Sequence, residues 1–125
     1  MRRAMTFGIK TFDEGLEDFR RVFEAVQQGR DVPVQEGIYF TNLEAARTIL
    51  TRSRLELLRA IRARNPGSIY ELARLVGRDL KSVQADLQIL QRFGLVRFEQ
   101  RRSKSGRTAK APRAPYGELV FRIAI

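Results

Sequence analysis

Between Arg54 and Leu95 the chain reads RLELLRAIRARNPGSIYELARLVGRDLKSVQADLQILQRFGL, three short apolar-periodic stretches divided by two breaks. Leu55, Leu58 and Ile61, with Leu57 beside them, make the first set. Ile69, Leu72, Ala73 and Val76 make the second, and Leu80, Val83, Leu87 and Leu90 the third. Spacings of three and four place each set on one stripe of a helix. Asn65-Pro66-Gly67 ends the first helix, because Pro has no amide hydrogen to donate and disfavours α backbone at the residue before it. Gly77 ends the second, being free to take the left-handed backbone of a helix stop. Helices this short gain little from propensity and must bury their stripes on one another.

Start signals support the same helices. Four Ser/Thr-x-x-Glu pairs, in which a hydroxyl and a carboxylate satisfy the free amides of a helix start, fall at Thr11/Glu14, Thr41/Glu44, Ser53/Glu56 and Ser68/Glu71. Asp79 is placed to cap the helix that carries Leu80 to Leu90, and Gly94 to stop it. The first pair opens a helix in which Phe12, Leu16, Phe19, Phe23 and Val26 recur at spacings of four and three, with Gly29 as its stop. Residues 5–9 read as a short edge strand, 38–40 as a second short strand, and the stretch between Gly29 and Gly37 as a loop. From Val96 the period changes to two. VRFEQ and the terminal ELVFRIAI are expected to pair as an antiparallel hairpin. The segment of about 101–117 joins them, with no apolar face, and is expected to stay irregular and mobile until a ligand orders it.

The expected fold is therefore mainly α with a small β-hairpin wing: a winged helix-turn-helix with an N-terminal helical extension. Residues 1–37 form the extension, a candidate for dimerisation, and 38–125 the DNA-binding domain, with a basic wing loop at about 101–117. At 125 residues, with 43% hydrophobic residues, one modest core is the natural expectation.

Charge points to the class of partner. Lys and Arg total 24 against 14 acidic residues, for a net +10. Residues 66–125 hold 12 basic and 5 acidic, and RRSKSGRTAKAPR, from Arg101 to Arg113, holds six positive charges and no negative one. Such an excess favours polyanions. The chain has no Cys and no His, which removes disulfides, thiolate metal sites and the commonest general base, so neither an enzyme nor a metal or other cofactor is expected. Nothing approaches the roughly 20 apolar residues of a membrane span, and a cytoplasmic protein that leaves the membrane alone is the expectation.

If Val83, Leu87 and Leu90 face inward, Lys81, Ser82, Ala85 and Gln88 face out, with Gln84 on the flank. Gln can bond adenine through two hydrogen bonds, Lys can donate to guanine and Ala can touch a thymine methyl. Arg78 is placed for a phosphate, and Ser68 and Tyr70 sit where a helix start can seat one. Arg101, Arg102, Lys104, Arg107, Lys110 and Arg113 of the wing can neutralise phosphates or enter a narrow minor groove. Asp86 would be repelled by DNA, so it is expected to pair with Arg54, Arg59 or Arg74 and to serve the fold.

The run from Tyr39 to Val96 resembles the winged-helix transcriptional regulators of the MarR/ArsR-like class. More narrowly, it is similar to a prokaryotic group with the linked motifs F-x-S/T-x-E-A, LT-x-x-R-LELL, P-x-SI-x-ELA and RD-x-x-x-V-x-x-D-x-x-x-L-x-x-x-GLV. They stand here at Phe40–Ala45, Leu50–Leu58, Pro66–Ala73 and Arg78–Val96. The wing is longer and more basic than the group's pattern. The resemblance implies a small regulator of transcription that binds double-stranded DNA as a homodimer. The stripe of Phe12, Leu16, Phe19 and Phe23 can pack on the rest of its own domain or on a second copy of the helix, and supplies the dimer-interface candidates. Two rivals stand beside it: an antitoxin that holds a toxin-like protein and autoregulates, and an architectural protein indifferent to nucleic-acid sequence.

Overall fold

A computed structural model describes residues 3–9, 12–29, 37–40, 43–102 and 106–123. It is mixed α/β, in the order β1 (Ala4–Ile9), α1 (Phe12–Gln27), β2 (Gly37–Phe40), α2 (Leu43–Ile49), α3 (Arg52–Arg64), α4 (Ile69–Val76), α5 (Leu80–Arg92), β3 (Arg97–Arg102), β4 (Thr108–Arg113) and β5 (Glu118–Ile123). Two compact units divide it, one of residues 1–3 with 48–117, the other of 4–47 with 118–125. The bounds between these units fall near 47 and near 117, and the expected division lies after residue 37.

The first unit is built from α3, α4, α5 and the antiparallel pair β3–β4. Leu57, Leu58 and Ile61 of α3, Leu72 and Ala73 of α4, and Val83, Leu87 and Leu90 of α5 form its core with Leu95, Val96 and Ala111. These are largely the residues that the three-and-four spacing marks. Burying each large aliphatic side chain is worth about 2 kcal/mol, which is what holds helices of 8 to 13 residues together.

The helix ends follow local chemistry. Ser68 caps α4: the Glu71 amide donates to its Oγ at 3.0 Å, while the Glu71 carboxylate reaches back to the Gly67 amide at 2.8 Å. The Ser82 amide donates to Asp79 Oδ2 at 3.1 Å and so caps α5. α3 is capped by Thr51, whose Oγ1 accepts from the Arg54 amide, and not by Ser53. Ser53 already lies inside the helix, so the Ser53/Glu56 spacing is a false start signal. The pairs at Thr11 and Thr41 lie outside the described residues. Gly77 takes φ +68° at the end of α4, and Asn65 takes the same left-handed region at φ 49° after α3.

The expected hairpin is corrected by the pairing. β3 pairs with β4, from Arg97 opposite Arg113 to Arg102 opposite Thr108, and β5 pairs elsewhere. β4 lies inside the segment expected to be irregular. Only its first part alternates: Lys110 is exposed between half-buried Ala109 and buried Ala111, and Pro112 is buried as well. Ala is too small to register as a strand residue, and Pro112 argues against a strand until β4 is seen to pair on one side only.

The second unit is a three-stranded parallel sheet in the order β2-β1-β5, with α1. β1, expected at an edge, is the central strand. Phe7 is fully buried, with ring centroids 6.0 Å from Phe40 and 5.1 Å from Phe121. Met5 and Phe7 are its buried large side chains, and Ala46 of α2 is buried as well.

Candidate nucleic-acid interface

α5 has two unlike sides. Its apolar residues Val83, Leu87 and Leu90 are buried, and Lys81, Gln84, Ala85 and Gln88 are exposed along the opposite strip. Ser82 is half-buried, its amide committed to the cap. Gln91 and Arg92, one turn further on, are exposed too and extend the same strip. The outward set stops short of them, although the spacing of three to four that selects Gln88 selects them as well.

Asp86 supplies the only negative charge on α5. Its side chain is 15% exposed and is gripped from two sides, by Arg54 Nε at 3.1 Å and by Arg78 Nη2 at 2.7 Å. Arg54 is one of the three partners expected; Arg59 and Arg74 do not take part in this pair. The same Arg54 guanidinium donates to the carbonyls of Thr48 and Ile49 at 2.7 and 3.0 Å, tying the end of α2 to the pair. Arg78, expected at a phosphate, has its guanidinium drawn to Asp86, eight residues on, by a charge-assisted hydrogen bond. Its Nη1 is buried without a hydrogen-bond partner.

At the start of α4, Tyr70 is 62% exposed, and the Arg74 guanidinium lies over its ring at 6.0 Å from the centroid. Ser68 is half-buried and occupied as the cap. At the start of α5, the Ser82 hydroxyl and then its amide hold the Asp79 carboxyl below the usual carboxylate range. That support for α5 is present at neutral pH and is lost as pH falls through the lowered value.

On the hairpin, Arg101, Arg102, Arg107 and Lys110 are exposed. Lys104 lies outside the described residues. Arg113, expected at a phosphate or in the minor groove, is differently placed: its side chain is 14% exposed, its Nη1 donates to the Pro66 and Pro112 carbonyls at 2.8 Å each, and its Nε lies 3.4 Å from Glu99. Glu99 also pairs with Arg97 at 2.9 Å. Arg113 therefore clamps the hairpin to the turn after α3. A basic run looks uniform in sequence, and only the strand register separates the cations at the tip from those at the base.

In the other unit, Leu16, Phe19 and Phe23 of α1 are exposed, with the Phe19 and Phe23 rings 6.3 Å apart. Phe12 lies on the same helix, but its side chain is outside the described set. On its polar side α1 carries ion pairs of Arg20 with Glu17 and Glu24, and of Arg21 with Asp18. Among the described residues, no helix is long and apolar enough to cross a membrane.

Comparison with known proteins gives a narrow result. No curated protein matches the chain. A solved structure described as a possible transcriptional regulator from Methanosarcina mazei Go1 is 15% identical, aligns with 60% of this chain and gives a TM-score of 0.44. The alignment spans 66% of that protein, just under two thirds of its length. The HVO_A0114 family matches residues 49–121, from the end of α2 into β5. More than half of the sequence is matched, and the chain belongs to the HVO_A0114 family.

Proposed function

We propose that the unit of α3, α4, α5 and the β3–β4 hairpin is a winged helix-turn-helix that binds double-stranded DNA in a sequence-specific way, and that the protein regulates transcription as a homodimer. The observation that carries the reading is the sorting of charge on α5. Its one carboxylate is held by two arginines beside the core, and the exposed strip is left with Lys81, Gln84, Ala85 and Gln88. In this reading α5 lies in the major groove, where those side chains suit base edges. Arg101, Arg102, Arg107 and Lys110 of the wing lie along phosphates. The nearer likeness to MarR/ArsR-like regulators belongs to the same proposal, on the motifs between Phe40 and Val96. The exposed stripe of Leu16, Phe19 and Phe23 favours a protein contact, which serves a homodimer and equally the rival reading of a toxin-like partner.

Selection of bound sequences from a random duplex pool tests the reading. The expected outcome is an enriched site bound at least about 1,000-fold more tightly than random duplex. Lys81→Glu is expected to weaken binding to that site at least ten-fold without lowering the melting temperature. A pool that yields no enriched sequence, or a Lys81→Glu protein that binds as well as the parent, overturns sequence-specific recognition through α5.

A further inference from the structure

β5 is the outer strand of the sheet in its unit, bonded on one side to β1 and on the other to no strand among the described residues. An open edge offers a row of unpaired amides and carbonyls, and proteins commonly blunt such an edge with charged side chains, proline or a bulge. Glu118–Ile123 contains no proline, its two charges, Glu118 and Arg122, are of opposite sign, and it pairs with β1 in continuous register over all six residues. Its side chains also form an unfinished apolar face. Phe7 of the central strand is fully buried, yet the neighbouring Phe121 is 45% exposed and Ile123 52% exposed.

We propose that β5 pairs antiparallel with β5 of a second copy of this chain, centred on Val120, to make a continuous six-stranded sheet. The argument for a second copy is self-complementarity. In that register Glu118 lies opposite Arg122 of the other copy, and the two-fold axis makes the pair twice. Leu119 lies opposite Phe121 in the same way, so the apolar face runs on across the junction. Neither Glu118 nor Arg122 has an ion-pair partner among the described residues, and both are exposed. Other arrangements lose the match. A parallel pairing in register puts Glu118 against Glu118 and Arg122 against Arg122, and an antiparallel pairing slipped by two residues leaves the charges without opposites. The strand sequence Glu-Leu-Val-Phe-Arg is thus specific for one register with its own copy.

This inference rests on the homodimer part of the proposed function and names a surface for it other than α1. The chain lacks cysteine, so single thiols report proximity cleanly. Val120→Cys places two thiols directly opposite, with Cβ atoms about 4.5–5.5 Å apart, near the span of a disulfide. In the full chain at about 50 µM, with copper phenanthroline as oxidant, Val120→Cys is expected to cross-link at least ten times faster than Leu119→Cys. Independently, Glu118→Arg and Arg122→Glu are each expected to raise the dimer dissociation constant about ten-fold by sedimentation equilibrium, and the double exchange to restore it. A dimer that cross-links through Leu16→Cys and not through Val120→Cys overturns this pairing and leaves the homodimer standing. So does a double exchange that fails to restore association while the protein remains folded. A wild-type chain that is monomeric at that concentration overturns both, and DNA selection then tests the remainder of the reading separately.

Discussion

The two units solve the problem of apolar surface differently. In the helical unit the stripes of α3, α4 and α5 meet one another, and Leu57, Ile61, Leu72, Val83, Leu87 and Leu90 are each almost fully buried. In the sheet unit Phe7 is buried, but Leu16, Phe19 and Phe23 on α1 and Phe121 and Ile123 on β5 remain exposed. The same physical rule shapes both, since apolar area is stabilised by removal from water. The lesson is one of degree: the helical unit buries these six side chains on one another and leaves Tyr70, Leu75 and Leu80 exposed, and the sheet unit leaves more of its large apolar side chains in water.

Mutations can break or sharpen that contrast. The largest effect is expected at Asp86→Ala in the helical unit, which leaves Arg54 and Arg78 facing each other, mostly buried, without their shared anion. A loss of about 3 kcal/mol, read by denaturant unfolding, is the expected outcome. An unchanged stability would mean that the trio does not brace the fold. A smaller loss, about 1 kcal/mol, is expected for Ser68→Ala, because the Glu71 amide at the start of α4 loses its acceptor. The smallest is Phe19→Ser in the sheet unit, expected to change monomer stability by less than about 0.5 kcal/mol. A loss above about 1.5 kcal/mol would show that Phe19 is packed, and the contrast between the units would go with it.

Much of the helical unit is legible in the sequence because its signals are local. The stripe of each helix repeats at three and four residues, and Ser68, Asp79 and Gly77 mark ends within one turn of themselves. The exposed strip of α5 follows directly from the buried one. What escapes local reading is long-range. Which strand pairs with β3 depends on Ala109 and Ala111, whose small side chains give almost no apolar signal. The parallel pairing of β1 with β5 joins residues more than a hundred positions apart, and nothing near either strand encodes it. Arg78 and Arg113 look like the other cations of a basic chain. Only the positions of Asp86, Glu99 and the Pro66 carbonyl in space reveal that they serve the fold.

The central place of β1 has a consequence for how the protein is made. Residues 48–117 are continuous, and their contacts can form as soon as that stretch has left the ribosome. The sheet, by contrast, needs Glu118–Ile123 to flank a strand synthesised far earlier. Loop-closure entropy makes such distant pairing slow, so β1 can meet β2 early, while its other side waits for Glu118–Ile123 and the ring of Phe7 is only half covered until then.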